Sequence, residues 1–125
     1  MKQTAIEKAI YISENLDLNG ILAVEMFITD DDQILINELA PRPHNSGHWT
    51  MDACNISQFE ALVRVIFDMP IQNIKYYHNC KMINILGKNY NVLEKSLYKK
   101  NHKVYIYGKD EIKEDRKLGH INILS

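Results

Sequence analysis

Two cysteines, three prolines and a single tryptophan are spread over 125 residues, and neither sign of charge dominates. Each scarcity removes a class of answer. Cys54 and Cys80 fit no zinc-ligand spacing and no disulfide framework, so they read as reduced thiols of a cytoplasmic protein. With 15 basic against 16 acidic residues, no field exists to draw in nucleic acid. No apolar run approaches the roughly 20 residues that span a bilayer, so a soluble protein with no membrane partner is expected. Met1-Lys2-Gln3 leads straight into helical pattern, without the apolar stretch and cleavage site of a signal peptide. Low-complexity tracts and internal repeats are lacking too. A chain of this length suits one domain or two small lobes and buries about two thirds of the surface its unfolded form exposes.

What is present divides by texture. Thr4-Ala5-Ile6-Glu7 has the form of a capping box, and Ile6, Ala9, Ile10 and the stretch from Ile12 to Leu16 predict a helix over 4–16 that ends before Asn19-Gly20. Residues 21–29 and 34–39 are rich in Ile, Val, Leu and Phe, and the polar Thr29-Asp30-Asp31-Asp32-Gln33 between them predicts a hairpin. Ser57-Gln58-Phe59-Glu60 repeats the capping-box form, and Phe59, Leu62, Val63, Ile66 and Phe67 make a helical stripe that runs up to Pro70. Beyond Pro70 come Lys, Tyr and Asn with apolar alternations over 80–86, 103–107 and 120–124, punctuated by Gly87, Gly108 and Gly119. The expected fold class is α/β (α+β). Residues 1–75 carry an antiparallel sheet with helices, and residues 76–125 form a small β-rich carboxyl-terminal lobe.

The chemistry concentrates in the first part. Glu25 interrupts the apolar run from Ile21 to Ile28, where a carboxylate is costly unless something pairs with it. A hairpin loop of two or four residues, centred between Asp31 and Asp32, sets Glu25 directly opposite Glu38; a three- or five-residue bulged loop would slip that register. Opposed like charges, with Cβ atoms about 4.5–5.5 Å apart, destabilise a hairpin. Two resolutions are open. Each acid pairs with a Lys or Arg elsewhere, or both hold one divalent cation, for which oxygen ligands suit Mg2+ or Mn2+. The neighbourhood favours the cation. Asn37 can add a carbonyl ligand, although alternation puts it on the other strand face and a solvated turn residue is the competing account.

Pro41 and Pro43 stiffen Arg42 and bar helix before them, so Arg42 and His44 project from an extended segment at the strand end. A guanidinium there suits bicarbonate, carboxylate or phosphate through two parallel hydrogen bonds. His44 can take up a proton when neutral or stabilise an oxyanion when charged. Gly47 lets backbone amides approach a ligand, and Asn45, Ser46 and His48 bring further donors. A surface ion pair is the competing account of Arg42, and an ordinary loop position that of His44 and His48. For Arg42 and His44 the functional account is preferred, because the prolines hold Arg42 and loops on rigid scaffolds often carry sites. For His48 and for Trp49, a core anchor, the structural account is preferred.

Gly20 to Phe27, Ile36 to Trp49 and Ser57 to Glu60 together resemble the N5-carboxyaminoimidazole ribonucleotide synthetase family of ATP-grasp ligases. The likeness continues through Met82 to Gly87, Tyr107-Gly108-Lys109 and Arg116 to Asn122. The run from Asn37 to Trp49 separates this family from glycinamide ribonucleotide transformylases and biotin carboxylases, which look similar only around the acid and Pro-Arg. The resemblance implies the last part of an ATP-grasp domain followed by a rudimentary single-hybrid-like lobe. It also implies a reaction in which ATP activates bicarbonate as carboxyphosphate and the amine of 5-aminoimidazole ribonucleotide is carboxylated, with ADP and phosphate leaving.

On that resemblance Glu25 and Glu38 match the metal carboxylates, with Asn37 and Glu38 at the cofactor. Arg42, His44 and Asn45 match the catalytic residues near bicarbonate and the amine, and Lys109 and Arg116 match those gripping the ribonucleotide phosphate. Mg2+ or Mn2+ is the implied cofactor and ATP the co-substrate, and a homodimer or other self-association is expected where strand edges and apolar surface are left exposed. The resemblance covers a carboxyl-terminal fragment, which is expected to be inactive alone. A stand-alone metal- or phosphate-binding module, or a self-associating structural fragment, is the alternative. Lys113-Glu114-Asp115 stands where the family pattern has a proline-containing turn before Arg116.

Overall fold

The computed structural model describes all 125 residues and divides them into two units. The first comprises Met1–Gly47 and Gln58–Asn73, the second His48–Ser57 and Ile74–Ser125. The division at 73/74 lies two residues from the one expected at 75/76, but the segment His48–Ser57 belongs with the carboxyl-terminal unit. The chain therefore passes between units three times, a pattern that local composition does not signal.

In the first unit, α1 (Lys2–Asn15) is followed by the antiparallel hairpin β1 (Ala23–Ile28) and β2 (Ile34–Ala40). The helix begins two residues before the expected start. Met1 is its N-cap without a side-chain hydrogen bond, so the capping box read at Thr4 is not formed. Asp17, at φ 48°, closes the helix, with Leu18 N–H donating to the carbonyl of Ser13 at 3.3 Å. The helix α3 (Gln58–Ile66) begins just after Ser57, as expected, and ends on the same device: Asp68 has φ 50°, and Met69 N–H reaches the carbonyl of Arg64 at 2.7 Å.

The apolar stripe of α3 is not buried within this unit. Ile66 is 66% exposed and Phe67 71%, and on the hairpin Phe27 and Ile28 are 58% and 63% exposed. Only Ala40 and Ala61 are buried hydrophobics here.

The second unit holds the better core. The short helix α2 (Thr50–Ala53) packs on β5 (Lys117–Leu124), the central strand of a three-stranded antiparallel sheet flanked by β3 (Cys80–Leu86) and β4 (His102–Ile106). A helix absent from the sequence expectation, α4 (Val92–Leu97), packs on β4. Ala53, Ile56, Ile85, Leu118 and Ile121 are buried. Trp49, expected as a core anchor, is half-buried and stacks on the exposed Tyr76, with ring centroids 5.9 Å apart. Cys54 and Cys80 are free thiols, and burial pushes both up from their ordinary value, away from the reactive thiolate. No helix is long and apolar enough to cross a membrane.

The turn before Arg116 forms without proline. Arg116 N–H donates to the carbonyl of Lys113 at 3.0 Å, and Lys88 ties the loop down through Asp115 at 2.8 Å. Gly87 makes the close approach possible, since a Cβ there would run into the backbone carbonyl of Lys113.

Candidate active site

Glu25 lies directly opposite Glu38 in the β1–β2 ladder, so the two carboxylates share one face of the hairpin. The route to that pairing differs from the expected one. Five residues, Thr29 to Gln33, connect the strands, closed by Thr29 N–H to the carbonyl of Gln33 at 3.0 Å and by Asp32 at φ 61°. This loop sets Ile28 against Ile34 and Met26 against Ile36, a register that would put Glu25 opposite Asn37. A bulge between Glu25 and Met26 leaves Asn37 as the unpaired extra residue and restores Glu38 as the partner.

The bulge also corrects the expected orientation of Asn37. Its Nδ2 donates to Glu25 Oε2 at 3.3 Å, so the amide lies with the acids rather than across the sheet from them. The other oxygen of Glu25, Oε1, is 3.2 Å from His44 Nε2. Glu25 therefore has two partners, whereas Glu38 is exposed with no ion pair. The open alternative of a Lys or Arg partner is realised for neither acid.

His44 is held at both nitrogens. Ser46 N–H, which can only donate, points at Nδ1 from 3.4 Å, and Ser46 Oγ lies 2.9 Å away. In the neutral ring Nδ1 accepts and the proton sits on Nε2, toward Glu25. In the charged ring Nδ1–H donates to Ser46 Oγ instead. Arg42 is exposed, forms no ion pair and bends only to the carbonyl of Pro43 at 3.1 Å, so its guanidinium remains open to an anion.

The donor set bears on what cation could sit here. No group of three or more His, Cys, Asp or Glu converges in the molecule. Two carboxylates, with the Asn37 carbonyl beside them, do not make a closed protein cage. They do suit Mg2+ or Mn2+, which take one or two carboxylates and complete their shells with water and substrate phosphates.

Lys109 and Arg116 lie in the second unit, on the connection between β4 and β5, and neither side chain forms an ion pair. They are together on one loop, in a different unit from Glu25, Glu38, Arg42, His44 and Asn45.

The second unit also contains a polar cluster to which sequence reasoning assigned no role. Asn122, fully buried, donates from Nδ2 to Asp52 Oδ2 at 2.7 Å and to the His48 carbonyl at 3.2 Å. Tyr105 donates to Asp52 Oδ1 at 2.9 Å and stacks on His120 with centroids 4.6 Å apart. Tyr107 Oη meets His120 Nδ1 at 2.8 Å, and the His48 ring lies 5.0 Å from that of His120. His48 is thus part of an interior network rather than an ordinary loop histidine. Glycine at 119 and the alternation of His120 and Asn122 on one strand face were the available signals.

Burial, reinforced by His48, holds His120 at about 4, well below its ordinary 6.5. In the unfolded chain His120 takes a proton near 6.5, but in the folded chain only near 4. Its contribution is therefore complete above 6.5 and is lost as pH falls toward 4. Between pH 7 and pH 5 the second unit should lose about 2 kcal/mol, with a flatter dependence in His120→Gln. Urea titrations followed by Trp49 fluorescence read both; equal midpoints at pH 7 and 5 in the parent chain would contradict the assignment.

Known proteins resemble this chain in sequence and fold. A family model described as the ATP-grasp domain matches residues 1–59, and one described as the phosphoribosylaminoimidazole carboxylase C-terminal domain matches residues 80–125. The N5-carboxyaminoimidazole ribonucleotide synthase of Bacillus subtilis is 45% identical over 99% of this chain and 33% of its own length. The chain matches the carboxyl-terminal third of the N5-carboxyaminoimidazole ribonucleotide synthetases. It spans about a third of the length of the curated synthases it matches. Among solved synthetases, the Staphylococcus aureus protein complexed with ADP superposes with a TM-score of 0.89 at 36% identity, over 99% of this chain and 34% of that one. The Aspergillus clavatus synthase in complex with ADP and 5-aminoimidazole ribonucleotide gives 0.76 at 37% identity, over 85% and 30%.

Proposed function

We propose that this chain supplies the carboxyl-terminal side of an ATP-dependent carboxylating ligase of purine biosynthesis. The ligase converts 5-aminoimidazole ribonucleotide, bicarbonate and ATP to N5-carboxyaminoimidazole ribonucleotide, ADP and phosphate. The observation that carries the reading is the opposed Glu25–Glu38 pair with His44 seated on Glu25. Glu25, Glu38 and the carbonyl of Asn37 would hold Mg2+ or Mn2+. When bound, that ion offsets phosphate charge as the terminal phosphoryl group moves to bicarbonate.

Arg42 receives the planar anion, bicarbonate and then carboxyphosphate, on its fork of donors. Asn45, next to His44, donates to the same anion. The amine nitrogen then bonds to the carboxyl carbon, the carbon–oxygen bond to phosphate breaks, and the amine loses a proton. His44 takes that proton and keeps it with one N–H on Glu25 and the other on Ser46. Lys109, a point charge, and Arg116, a fork, hold the ribonucleotide phosphate. Free thiols agree with a cytoplasmic location.

The test is a graft in which this chain replaces the matching third of the Bacillus subtilis synthase. The graft should release ADP only when bicarbonate and the aminoimidazole ribonucleotide are both present, and Glu38 should be essential to it. A graft that folds but releases no ADP, or one indifferent to Glu38, overturns the reading. The 125 residues alone should show no turnover.

By itself the chain should also self-associate, because the exposed Phe27, Ile28, Ile66 and Phe67 favour burial. Sedimentation velocity across concentrations reads this directly, and a monomer throughout would rule out self-association.

A further inference from the structure

We propose that Gln58 is a positioning residue for His44, an assignment that rests on the function proposed above. His44 lies in an extended segment between Pro43 and the single turn Asn45–Gly47, outside any strand ladder. Its main chain nevertheless has both of the bonds that a neighbouring strand would give. His44 N–H donates to Gln58 Oε1 at 2.9 Å, and Gln58 Nε2 donates to the His44 carbonyl at 2.8 Å. One primary amide thus grips both sides of one residue. A side chain with only an acceptor or only a donor cannot do so.

The grip has a rigid anchor. Gln58 is the first residue of α3, so its Cα moves with the helix. The proline-flanked segment restricts Arg42, and Gly47 N–H holds the His44 carbonyl at 2.9 Å, but only Gln58 holds the His44 N–H. With the main chain held by Gln58, the imidazole needs only Ser46 on Nδ1 and Glu25 on Nε2 to be fixed in place. An ångström of drift in a catalytic group can lower turnover about a hundredfold, so a residue that removes such drift acts on rate without touching substrate.

Gly47 belongs to the same device. A Cβ at position 47 would stand 2.6 Å from Gln58 Oε1 and 2.9 Å from its Cδ. Because the amide is pinned by two hydrogen bonds, it cannot swing aside without releasing His44. Glycine at 47 is therefore explained by the space the clamp occupies.

Gln58→Met keeps length and apolar volume but removes both bonds, and Gln58→Glu keeps the acceptor alone. In the 125-residue chain the His44 amide should exchange with deuterium about tenfold faster in Q58M, with Q58E between it and the parent. Leu62 and Val65 amides within α3 should exchange as before, which separates loss of the clamp from loss of the helix. Gly47→Ala should reproduce Q58M. In the graft, Q58M should lower kcat about tenfold or more while leaving KM for ATP unchanged.

Unchanged His44 exchange in Q58M shows that no clamp exists and overturns the proposal. Faster exchange with kcat intact overturns the positioning role. Faster exchange with kcat reduced supports it. Full activity in His44→Ala would instead strike at the proposed function, while the exchange result would still stand on its own.

Discussion

Gly119→Ala is expected to destabilise the carboxyl-terminal unit by about 3 kcal/mol or more, enough to leave much of it unfolded at room temperature. Gly119 sits in β5, paired on one side with Ile85 and on the other with Ile106. A Cβ on it would run into the carbonyl oxygen of Tyr105, with the Ile106 Cα close behind. Those are backbone atoms of a hydrogen-bonded ladder, so no rotamer change relieves the collision. The strand must shift, and β5 is the strand that holds β3 and β4 together.

Gly108 is the control. Its φ of 61° strains an alanine, but nothing lies within 4 Å of its added Cβ, so Gly108→Ala should cost only about 1 kcal/mol. Trp49, the sole tryptophan, lies in the same unit and reports on it alone. Urea midpoints read from its fluorescence should fall far more for G119A than for G108A. Equal shifts would show that close approach is not what requires glycine at 119.

Much of the fold was legible because its signals are local. The two longer helices follow from periodicity, and the β3 bounds of Cys80–Leu86 coincide with the apolar alternation read over 80–86. The extra turn at the start of α1 was missed because Met1 caps it through its main chain, which leaves no trace in side-chain pattern. The short helices α2 and α4 were missed because four or six residues are too few to show a period.

The facing of Glu25 and Glu38 was expected for an incomplete reason. Glu25 faces Glu38, yet the five-residue loop by itself would have set Glu25 against Asn37. A bulge supplies the missing step, and nothing in Ile36-Asn37-Glu38 announces one. The bulge turns Asn37 toward Glu25, where alternation had sent it to the opposite face. The contacts of Gln58 with His44 span 14 positions and that of Asn122 with Asp52 spans 70, so each becomes visible only once tertiary structure has closed the chain.

Glu38→Gln is the substitution that best separates a site acid from a structural one. In the graft it should lower kcat about 10²- to 10³-fold, the range seen when a single group that stabilises developing charge is lost. Raised Mg2+ should recover part of the loss, because the remaining ligands bind the ion more weakly. Stability should move the other way. Glu38 is exposed, forms no ion pair and lies opposite another carboxylate, so neutralising it removes a repulsion. The urea midpoint of the 125-residue chain should stay level or rise slightly, by no more than about 0.5 kcal/mol. An acid whose loss weakens the fold is explained by the fold, whereas one whose loss removes activity and spares the fold is there for a ligand. A graft carrying E38Q that keeps its kcat, or a chain that E38Q destabilises, would return Glu38 to the surface charges and leave Glu25 with His44 as an ordinary ion pair.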